Sequence, residues 1–325
     1  MTSRDDALGT SSLSSTGRTA LLVVGIAFWG WLLTRWAYDW VINPGVGVSS
    51  REPFVPAGPF EAAGGWFEGL AADAGVLSTP LGWLAWLFDF IAFGVTVMPA
   101  LAAGAWLTIV LTVLGMFFGI FIAVPLSVAR VYGSRPLRWL SLAYTELIRG
   151  TPLLAQLFVL YYGLPLSGII RELPGVGVGP VPRAAVWVAV IGFTINSSAY
   201  QAEYIRSALQ SVDAGQLTAA RSVGLSKTES IRHVILPQGL RYAIPGWTNE
   251  FIYLIKYSSL AAFIAVPELF RRARNIGSDT FRYLEMYLIV ALFYLALVLT
   301  LSVLMDSFEK RVAIPGLGTA ADDRE

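Results

Sequence analysis

Long apolar segments, separated by short polar ones, make up most of this chain. A membrane-spanning helix needs about 20 mostly apolar residues, and six segments meet that requirement. They lie at roughly 19–42, 101–129, 139–164, 184–206, 243–266 and 284–308. The pattern therefore predicts an all-α integral membrane protein with about six transmembrane helices.

Residues 81–98 are the main ambiguity in this pattern. They are apolar enough to be a seventh span, but Asp89 lies in their middle, and Trp83 and Trp86 suit a membrane interface. We therefore expect an interfacial or re-entrant helix there. Whether this segment crosses the membrane decides whether the number of spans is even or odd. A Pro/Gly-rich connector at about 43–80 precedes it. The first span is too long for a signal peptide and is expected to be retained.

The composition is that of a membrane protein without enzymatic equipment. Hydrophobic residues make up 55% and charged residues 14% of the 325 residues, whereas soluble domains carry about 25% charged residues. The sequence has no Cys and one His, His233, which argues against disulfides, zinc sites and Ser–His catalysis. We expect no catalytic residue, no metal site and no nucleic-acid partner.

Basic residues orient the predicted bundle. They follow the second span, fill the loop after the fourth and follow the last span: Arg130, Arg135, Arg138, Arg206, Arg221, Lys227, Arg232, Arg241, Lys310 and Arg311. Placing them inside gives a multi-pass plasma-membrane protein with both termini in the cytoplasm, if there are six spans. Four arginines between residues 271 and 282 argue against this, since they would then lie outside.

A polar island at 213–237 predicts two short helices joined by a sharp turn. Asp213 can cap the first helix, and the side chain of Gln216, three residues later, can accept a hydrogen bond from the Asp213 amide. Ser226 can cap the second helix in the same way, with Glu229 as its partner. We call the segment from Asp213 to Pro237 the elbow.

The elbow has features that suit protein docking. Gly224 is expected to end its first helix in a left-handed conformation, and Pro237 to close the second. Ala219 and Ala220 leave a bare backbone face that another protein could approach closely. The alternative is an ordinary helical hairpin between two membrane spans.

The elbow resembles the E-A-A loop of ABC-transporter permease subunits, in which three residues separate E-A-A from a Gly, and I-x-L-P follows about nine residues on. Thr218 replaces the Glu of that motif. In this family the loop forms a coupling helix that sits in a groove of the ATPase subunit. The resemblance implies these ATPase-docking residues: Gln216, Thr218, Ala219, Ala220, Gly224, Leu236 and Pro237.

Three further segments resemble the polar amino-acid permeases, the group serving glutamine, glutamate, histidine and arginine. Residues 144–156 look like E-x-x-R-G-T-P-L-L-x-Q, and residues 196–206 look like N-S-A-A-Y-x-A-E-x-x-R. Residues 249–269 look like N-E-F-I-x-L-x-K-x-[ST]-S-L followed by V-P-E-L, with Tyr257 where an Asp commonly follows the Lys. The resemblance covers about 88–312, and residues 1–80 lie outside it.

Two of these segments carry polar stripes with the spacing i, i+4, i+7, which places each stripe on one helix face. The stripes are Asn196, Tyr200 and Glu203, and Asn249, Tyr253 and Lys256. Their opposite charges could suit a zwitterionic amino acid, because polar groups at membrane depth usually face a cavity or pair. Alternatively, Glu203, Arg206 and Lys256 tie helices together through internal salt bridges.

The segment 144–156 adds a charged pair and a helix break. Glu146 and Arg149 can pair at i, i+3, and Gly150 and Pro152 loosen the helix. The resemblance implies a place beside the translocation path, and a structural kink is the alternative. The candidate path residues are Glu146, Arg149, Asn196, Tyr200, Glu203, Asn249, Glu250, Tyr253 and Lys256.

The resemblance implies the five-helix core of a type I ABC importer permease, plus an extra N-terminal helix. The expected divisions are a cytoplasmic tail at 1–18, a transmembrane helix at 19–42, an external connector with an interfacial helix at 43–98, a permease domain at 99–312 with its coupling loop at 207–240, and a cytoplasmic tail at 313–325.

The resemblance also implies the function: a subunit of a binding-protein-dependent importer for a polar amino acid, performing no chemistry itself. The implied partners are a second permease subunit (the same chain or a sister permease), two cytoplasmic ATPases that hold ATP and Mg²⁺, an external solute-binding protein and the lipid bilayer. This sequence has no phosphate-binding Gly-rich loop and is expected to bind no cofactor. The alternatives are an ABC permease for an opine or imino acid and an ion-coupled secondary transporter.

Overall fold

The computed structural model describes residues 15–44, 47–178 and 181–312. Within these ranges all regular elements are helical and no strand is present, which confirms the predicted fold class. Residues 1–14 of the predicted N-terminal tail, and all of the predicted C-terminal tail at 313–325, lie outside the described residues.

The described part of the chain folds into thirteen α-helices. In chain order they are α1 Ser15–Ala37, α2 Gly58–Ala72, α3 Ser78–Tyr132, α4 Arg135–Arg149, α5 Leu153–Phe158, α6 Leu166–Arg171, α7 Ala184–Ser211, α8 Ala214–Ser222, α9 Lys227–Ser230, α10 Leu236–Tyr242, α11 Ile244–Tyr257, α12 Leu269–Thr280 and α13 Tyr283–Val312. Turns of π- or 3₁₀-helix extend five of them: α1 to Ile42, α3 back to Gly75, α5 to Gly163, α9 to Ile235 and α11 to Ile264.

Helix α3 is the largest departure from the predicted organisation. Its 55 residues run without a break through both 81–98 and 101–129, so the prediction of a separate interfacial or re-entrant helix at 81–98 is wrong. Pro99 removes one internal hydrogen bond at the expected junction. The helix continues because its flanking turns are packed, with Ala92 and Ala102 buried on either side.

The apolar segments form fewer uninterrupted spans than expected. Within the described residues, Gly75–Tyr132 and Tyr283–Glu309 are long and apolar enough to cross a membrane, and a third candidate is the pair Ile244–Ile264 and Leu269–Thr280, bent by 52°. The segment expected to span at 139–164 is not one continuous helix, because α4 ends at Arg149 and α5 begins at Leu153. The total of six spans stays a prediction.

The first of two compact units contains the described residues up to Trp106, together with Leu269–Thr300. Aromatic side chains of α1 fasten it to α3 and α13. The Trp29 indole donates a hydrogen bond to the Thr300 hydroxyl at 2.8 Å, and the Trp36 indole donates to the Ala102 carbonyl at 2.7 Å. Trp36 and Trp40 both meet the Trp106 ring edge-on. The extra N-terminal helix is therefore an integral part of this unit.

The second compact unit contains the described residues of Leu107–Glu268 and those from Leu301 to Val312, and α7 runs through its core. Phe193 of α7 is fully buried. Glycines let two neighbouring helices come close to α7, as small residues do in membrane proteins. A Cβ added at Gly115 of α3 would lie 2.8 Å from the Cβ of Phe193, and one at Gly246 of α11 would lie 2.7 Å from the Tyr204 ring.

Candidate functional site

The elbow has the two-helix shape that its sequence predicts, but only one of its two expected capping boxes. The Ser226 amide donates to the Glu229 carboxylate at 2.8 Å, and the Glu229 amide donates to the Ser226 hydroxyl at 3.3 Å. These bonds lower the pKa of the Glu229 carboxyl below its ordinary value. Asp213 caps α8 by accepting from the Gly215 amide at 2.6 Å. The second capping box would also need a hydrogen bond from the Asp213 amide to the Gln216 side chain, and the described residues show none.

The turn between α8 and α9 depends on Gly224. Its φ of +93° is left-handed, as predicted. The Leu225 amide donates to the Ala220 carbonyl at 3.3 Å, and the Gly224 amide donates to the Arg221 carbonyl at 3.1 Å. This pair of bonds is the Schellman motif, which satisfies the last carbonyls of a helix and needs a residue that tolerates positive φ.

Pro237 has a different place from the predicted one. It does not close the second helix of the elbow but lies in the first turn of α10. Proline is tolerated there because the amide it lacks has no intrahelical partner in the first turn. The chain therefore runs on from α9 through a π-helical segment, Ile231–Ile235, into α10.

The predicted docking residues differ in exposure. Gln216, Thr218, Ala219, Gly224 and Pro237 are exposed, and Leu236 is half-buried. Ala220 is only 6% exposed, so the prediction that its methyl group leaves an open face is wrong. Its side chain packs inward because it lies on the opposite side of α8 from the outward-facing positions.

Two residues of the elbow, Val223 and Lys227, were not predicted as docking or coupling residues from the sequence. Val223, just before the turn glycine, is 79% exposed and is the most prominent apolar side chain of the elbow. An apolar residue beside a C-terminal helix glycine in a polar loop is the signal that could have found it. Lys227 donates to the Tyr132 carbonyl at 2.9 Å, which ties the elbow to the last turn of α3. Cations are favoured at such helix ends.

A second group of polar residues lies where α4, α5, α7 and α11 meet within the second unit. The break predicted from Gly150 and Pro152 is confirmed, since α4 ends at Arg149, just before Gly150, and α5 starts after Pro152. The Gln156 amide bridges the break by donating to the Ile148 carbonyl at 2.7 Å, and its oxygen accepts from Asn196 at 3.1 Å. Gln156 belongs to the motif at 144–156, but no role was predicted for it from the sequence.

The pairing expected between Glu146 and Arg149 is wrong. Glu146 is exposed on α4, and no ion pair of the described residues includes it. Arg149 instead reaches towards α7, where its guanidinium lies 5.4 Å from the centre of the Tyr200 ring. A guanidinium over an aromatic face is a favourable contact that needs no carboxylate.

The charges of the two stripes do not pair with each other. Glu203 forms an ion pair with Arg206 of the same helix, and Arg206 also donates to the Gln210 side chain at 2.6 Å. The Lys256 ammonium lies 4.5 Å from the centre of the Tyr253 ring. The alternative, that salt bridges of Glu203, Arg206 and Lys256 tie helices together, is therefore wrong for the described residues, because Glu203 and Arg206 pair within one helix and Lys256 pairs with neither.

Tyrosines lie in both stripes. The rings of Tyr253 and Tyr257 are stacked with their centres 6.2 Å apart. Tyr200 contacts the Arg149 guanidinium. We call the group formed by Arg149, Tyr200, Glu250, Tyr253, Lys256 and Tyr257 the polar cluster.

The residues of the polar cluster differ in their exposure to solvent. Arg149, Tyr253, Lys256 and Tyr257 are exposed, whereas Glu250 is only 3% exposed. The candidate Asn249 is exposed beside it. No group of three or more His, Asp or Glu residues that could hold a metal ion occurs in the described part of the chain.

The chain matches the family described as "Binding-protein-dependent transport system inner membrane component" over residues 115–314. It is 41% identical over 215 residues to the probable amino-acid ABC transporter permease protein YckA of Bacillus subtilis (strain 168), covering 66% of this chain and 90% of the relative. It is 37% identical over 217 residues to the glutamine transport system permease protein GlnP of Escherichia coli (strain K12), covering 67% of this chain and 94% of the relative.

Two solved structures share the fold. A crystal structure of an amino acid ABC transporter with histidines is 37% identical, with a TM-score of 0.56 over 66% of this chain and 94% of that one. An inward-facing structure of the MetNI methionine ABC transporter is 20% identical, with a TM-score of 0.57 over 67% and 98% of the two chains, and shows the fold alone. The chain therefore belongs to the inner membrane components of binding-protein-dependent transport systems and is a multi-pass permease of the amino-acid ABC transporter family.

Proposed function

We propose that this permease carries a polar amino acid across the plasma membrane, in an importer whose partner ATPases hydrolyse ATP. The polar cluster is the observation that carries this proposal. It combines exposed cations at Arg149 and Lys256 with the hydroxyls of Tyr200, Tyr253 and Tyr257. A free amino acid always presents one carboxylate and one ammonium. The two cations can bind the carboxylate, and the phenol oxygens can accept hydrogen bonds from the ammonium.

The surroundings of the cluster suit a transport path. Charged groups at membrane depth are expensive and usually face a water-filled cavity or each other. Arg149 and Lys256 have aromatic faces as neighbours, and no ion pair of the described residues includes either of them. The adjacent break between α4 and α5 is of the kind tolerated beside a cavity or inside a protein.

The elbow is the part of the chain that we propose docks on the ATPase. Its exposed surface centres on Val223 and Gly224, with Thr218 and Ala219 on the preceding helix. The Schellman turn and the capping box hold this surface in one shape, so that a push from a partner moves it as one body. The bond from Lys227 to the last turn of α3 passes that motion to a helix long enough to span the membrane.

The remaining partners follow from the same assignment. A second permease subunit, either the same chain or a sister permease, completes the path, and an external solute-binding protein delivers the substrate. ATP and Mg²⁺ bind to the ATPases. Both termini lie in the cytoplasm, because this places the basic elbow inside.

Uptake into proteoliposomes that contain the complete complex tests the proposal. With binding protein and labelled amino acids outside, uptake should require ATP inside and should persist when ionophores collapse all ion gradients. Uptake that follows an ion gradient and ignores ATP would support the secondary transporter instead. A panel that includes an opine and a cyclic imino acid separates the other alternative.

A further inference from the structure

A partly open cavity of about 70 Å³ lies within the first compact unit. Its lining is mostly apolar and comes from α1, from the connector after α1 and from α3. The lining includes Trp31, Arg35, Phe54, Val55, Val95 and Met98. Phe54 and Val55 are 43% and 52% exposed, so the cavity opens to the surface beside the connector.

The charged end of this cavity carries an excess of positive charge. Arg35, which belongs to the lining, is buried and lies 2.7 Å from the Asp39 carboxylate. The Arg51 guanidinium lies 2.8 Å from the same carboxylate. Glu52 is exposed, and no ion pair of the described residues includes it. Two cations therefore share one carboxylate, and a charge that is taken out of water without a partner is costly.

Arg51 is the cation that can accept a further partner. A guanidinium has five N–H groups. Among the described residues, the Arg51 guanidinium makes one hydrogen bond, to Asp39, and its Nε has no acceptor. The Arg51 side chain is 14% exposed, whereas Arg35 is buried. An anion at the surface can therefore reach Arg51, and phosphate is a preferred partner of a guanidinium.

The cavity lies near one end of α1, the helix of the first predicted span. Arg35 precedes Ile42, the end of the helical turns, by about 10 Å along the axis. Helix α1 exposes apolar side chains such as Leu33 and Val41, at 56% and 77%, which suit contact with lipid. Trp40 is 52% exposed, and tryptophans concentrate at the boundary between the hydrocarbon core and the headgroups. The charged end of the cavity is thus at the level of lipid headgroups.

We infer that this site binds an anionic phospholipid, with its phosphate on Arg51 and part of one acyl chain in the cavity. The phosphate supplies the negative charge that the two arginines lack. The cavity is too small for a whole ligand, which suits a chain whose remainder lies in the bilayer. A zwitterionic phospholipid brings a cation of its own towards Arg51 and binds less tightly. The site uses no residue of the polar cluster or of the elbow, so it is independent of the transported substrate.

Lipid binding to the complete complex tests the inference. The complex is depleted of lipid by detergent exchange and titrated with phosphatidylglycerol, with phosphatidylcholine or with inorganic phosphate, and native mass spectrometry counts the bound lipids. We expect phosphatidylglycerol to bind about tenfold more tightly than phosphatidylcholine, the size expected for one charged contact. It should also raise the midpoint of thermal unfolding, whereas inorganic phosphate at the same concentration should not.

Two variants test the two halves of the site. Arg51→Gln removes the free cation and leaves Arg35 paired with Asp39, so the protein should fold and bind phosphatidylglycerol about tenfold less tightly. Val95→Phe fills the cavity and should weaken the binding of both phospholipids about tenfold, the effect of losing roughly two buried methylene groups. Should Val95→Phe lower the unfolding midpoint of the lipid-free complex, Val55→Phe at the exposed rim is measured with the same expectation.

Matched controls make the same changes elsewhere. Arg171→Gln removes an exposed cation at the end of α6. Val113→Phe enlarges a side chain of α3 that is 44% exposed. Both controls should bind the two phospholipids like the wild type, so that the difference from Arg51→Gln and Val95→Phe isolates this site from other lipid contacts of the complex.

Three results would overturn the inference. The first is equal binding of phosphatidylglycerol and phosphatidylcholine by the wild type, and the second is unchanged affinity for phosphatidylglycerol in Arg51→Gln. The third is stabilisation by inorganic phosphate as large as that by phosphatidylglycerol, with normal lipid binding in the cavity variants. That result would identify a site for a free anion in place of a lipid site.

Discussion

A buried ionic group holds the end of the N-terminal helix. The Asp39 carboxylate lies 2.7 Å from the Arg35 guanidinium and 2.8 Å from that of Arg51, and Arg35 also donates to the Glu52 carbonyl at 2.6 Å. Arg35 and Asp39 are 1% and 2% exposed. Arg35 lies within an apolar segment of the sequence, and the groups that join it in this ionic group come partly from the chain that folds back after the helix.

Asp39→Asn should strongly destabilise this unit. It leaves two guanidinium groups without their shared carboxylate, and removing one partner of a buried ion pair costs about 3–5 kcal/mol. We expect a clearly lower midpoint of thermal unfolding for the detergent-solubilised protein. The control is Asp73→Asn, at an exposed residue after α2, which should have little effect. Equal midpoints for the two variants would contradict the structural role of Asp39.

Two pairs of charged residues with the same spacing behave differently in the structure. The i, i+3 spacing allowed a pair between Glu146 and Arg149, and it equally allowed the pair between Glu203 and Arg206. Only the second forms, because Arg149 finds the Tyr200 ring of another helix. Spacing reports which side chains share a face of their own helix. It carries no information about a competing partner on a neighbouring helix.

At the scale of elements, local signals predicted turns better than helix lengths. Gly224, the Ser226 capping box and the break at Gly150 and Pro152 were all read correctly, because each depends on backbone conformations that a few neighbouring residues determine. The continuity of α3 was missed, because Pro99 and Asp89 are locally unfavourable there. Packing of more distant parts of the chain keeps this helix whole, with Trp36 donating to the Ala102 carbonyl.

The link between the elbow and α3 yields a prediction. Lys227→Met should weaken coupling, because it removes the bond to the Tyr132 carbonyl that connects the docking surface to the helix. We expect substrate-stimulated ATPase activity of the complete complex to fall several-fold, with assembly unchanged. Lys227→Arg, which can donate to the same carbonyl, should retain most of the stimulation. The same loss in both variants would show that this bond does not carry the effect.

At the scale of the whole molecule, the N-terminal part adds to the permease family fold. The family match begins at residue 115, so α1, α2 and about two thirds of α3 precede it. Helix α3 is about 80 Å long at 1.5 Å per residue, against a hydrocarbon core of about 30 Å. No Lys or Arg occurs between Arg51 and Arg130, which suits an external position for the extra length.

Single-cysteine labelling tests this topology, since the chain has no native Cys. Thr79→Cys, at the start of α3, and Ser278→Cys, in α12, should react with an impermeant thiol reagent from outside. Thr228→Cys, in the elbow, should react only from the cytoplasm. All three positions are exposed. Labelling of Thr79→Cys and Thr228→Cys from the same side would mean that the chain between them crosses the membrane an even number of times.

The central claim is that the elbow transmits ATP hydrolysis by partner subunits to the transport of an amino acid. Measuring uptake and ATP hydrolysis in the same proteoliposomes tests it most directly, with the wild type compared with Gly224→Asp. A residue with a Cβ strains the left-handed turn by roughly 1 kcal/mol or more, and the new charge lies on the docking surface.

The matched control is Gly168→Ala in α6, where an added Cβ meets no atom within 4 Å. The account predicts that Gly224→Asp complexes assemble and lose most of their uptake together with the stimulation of ATP hydrolysis by substrate, while Gly168→Ala behaves like the wild type. Normal uptake with normal stimulation in Gly224→Asp would contradict the account.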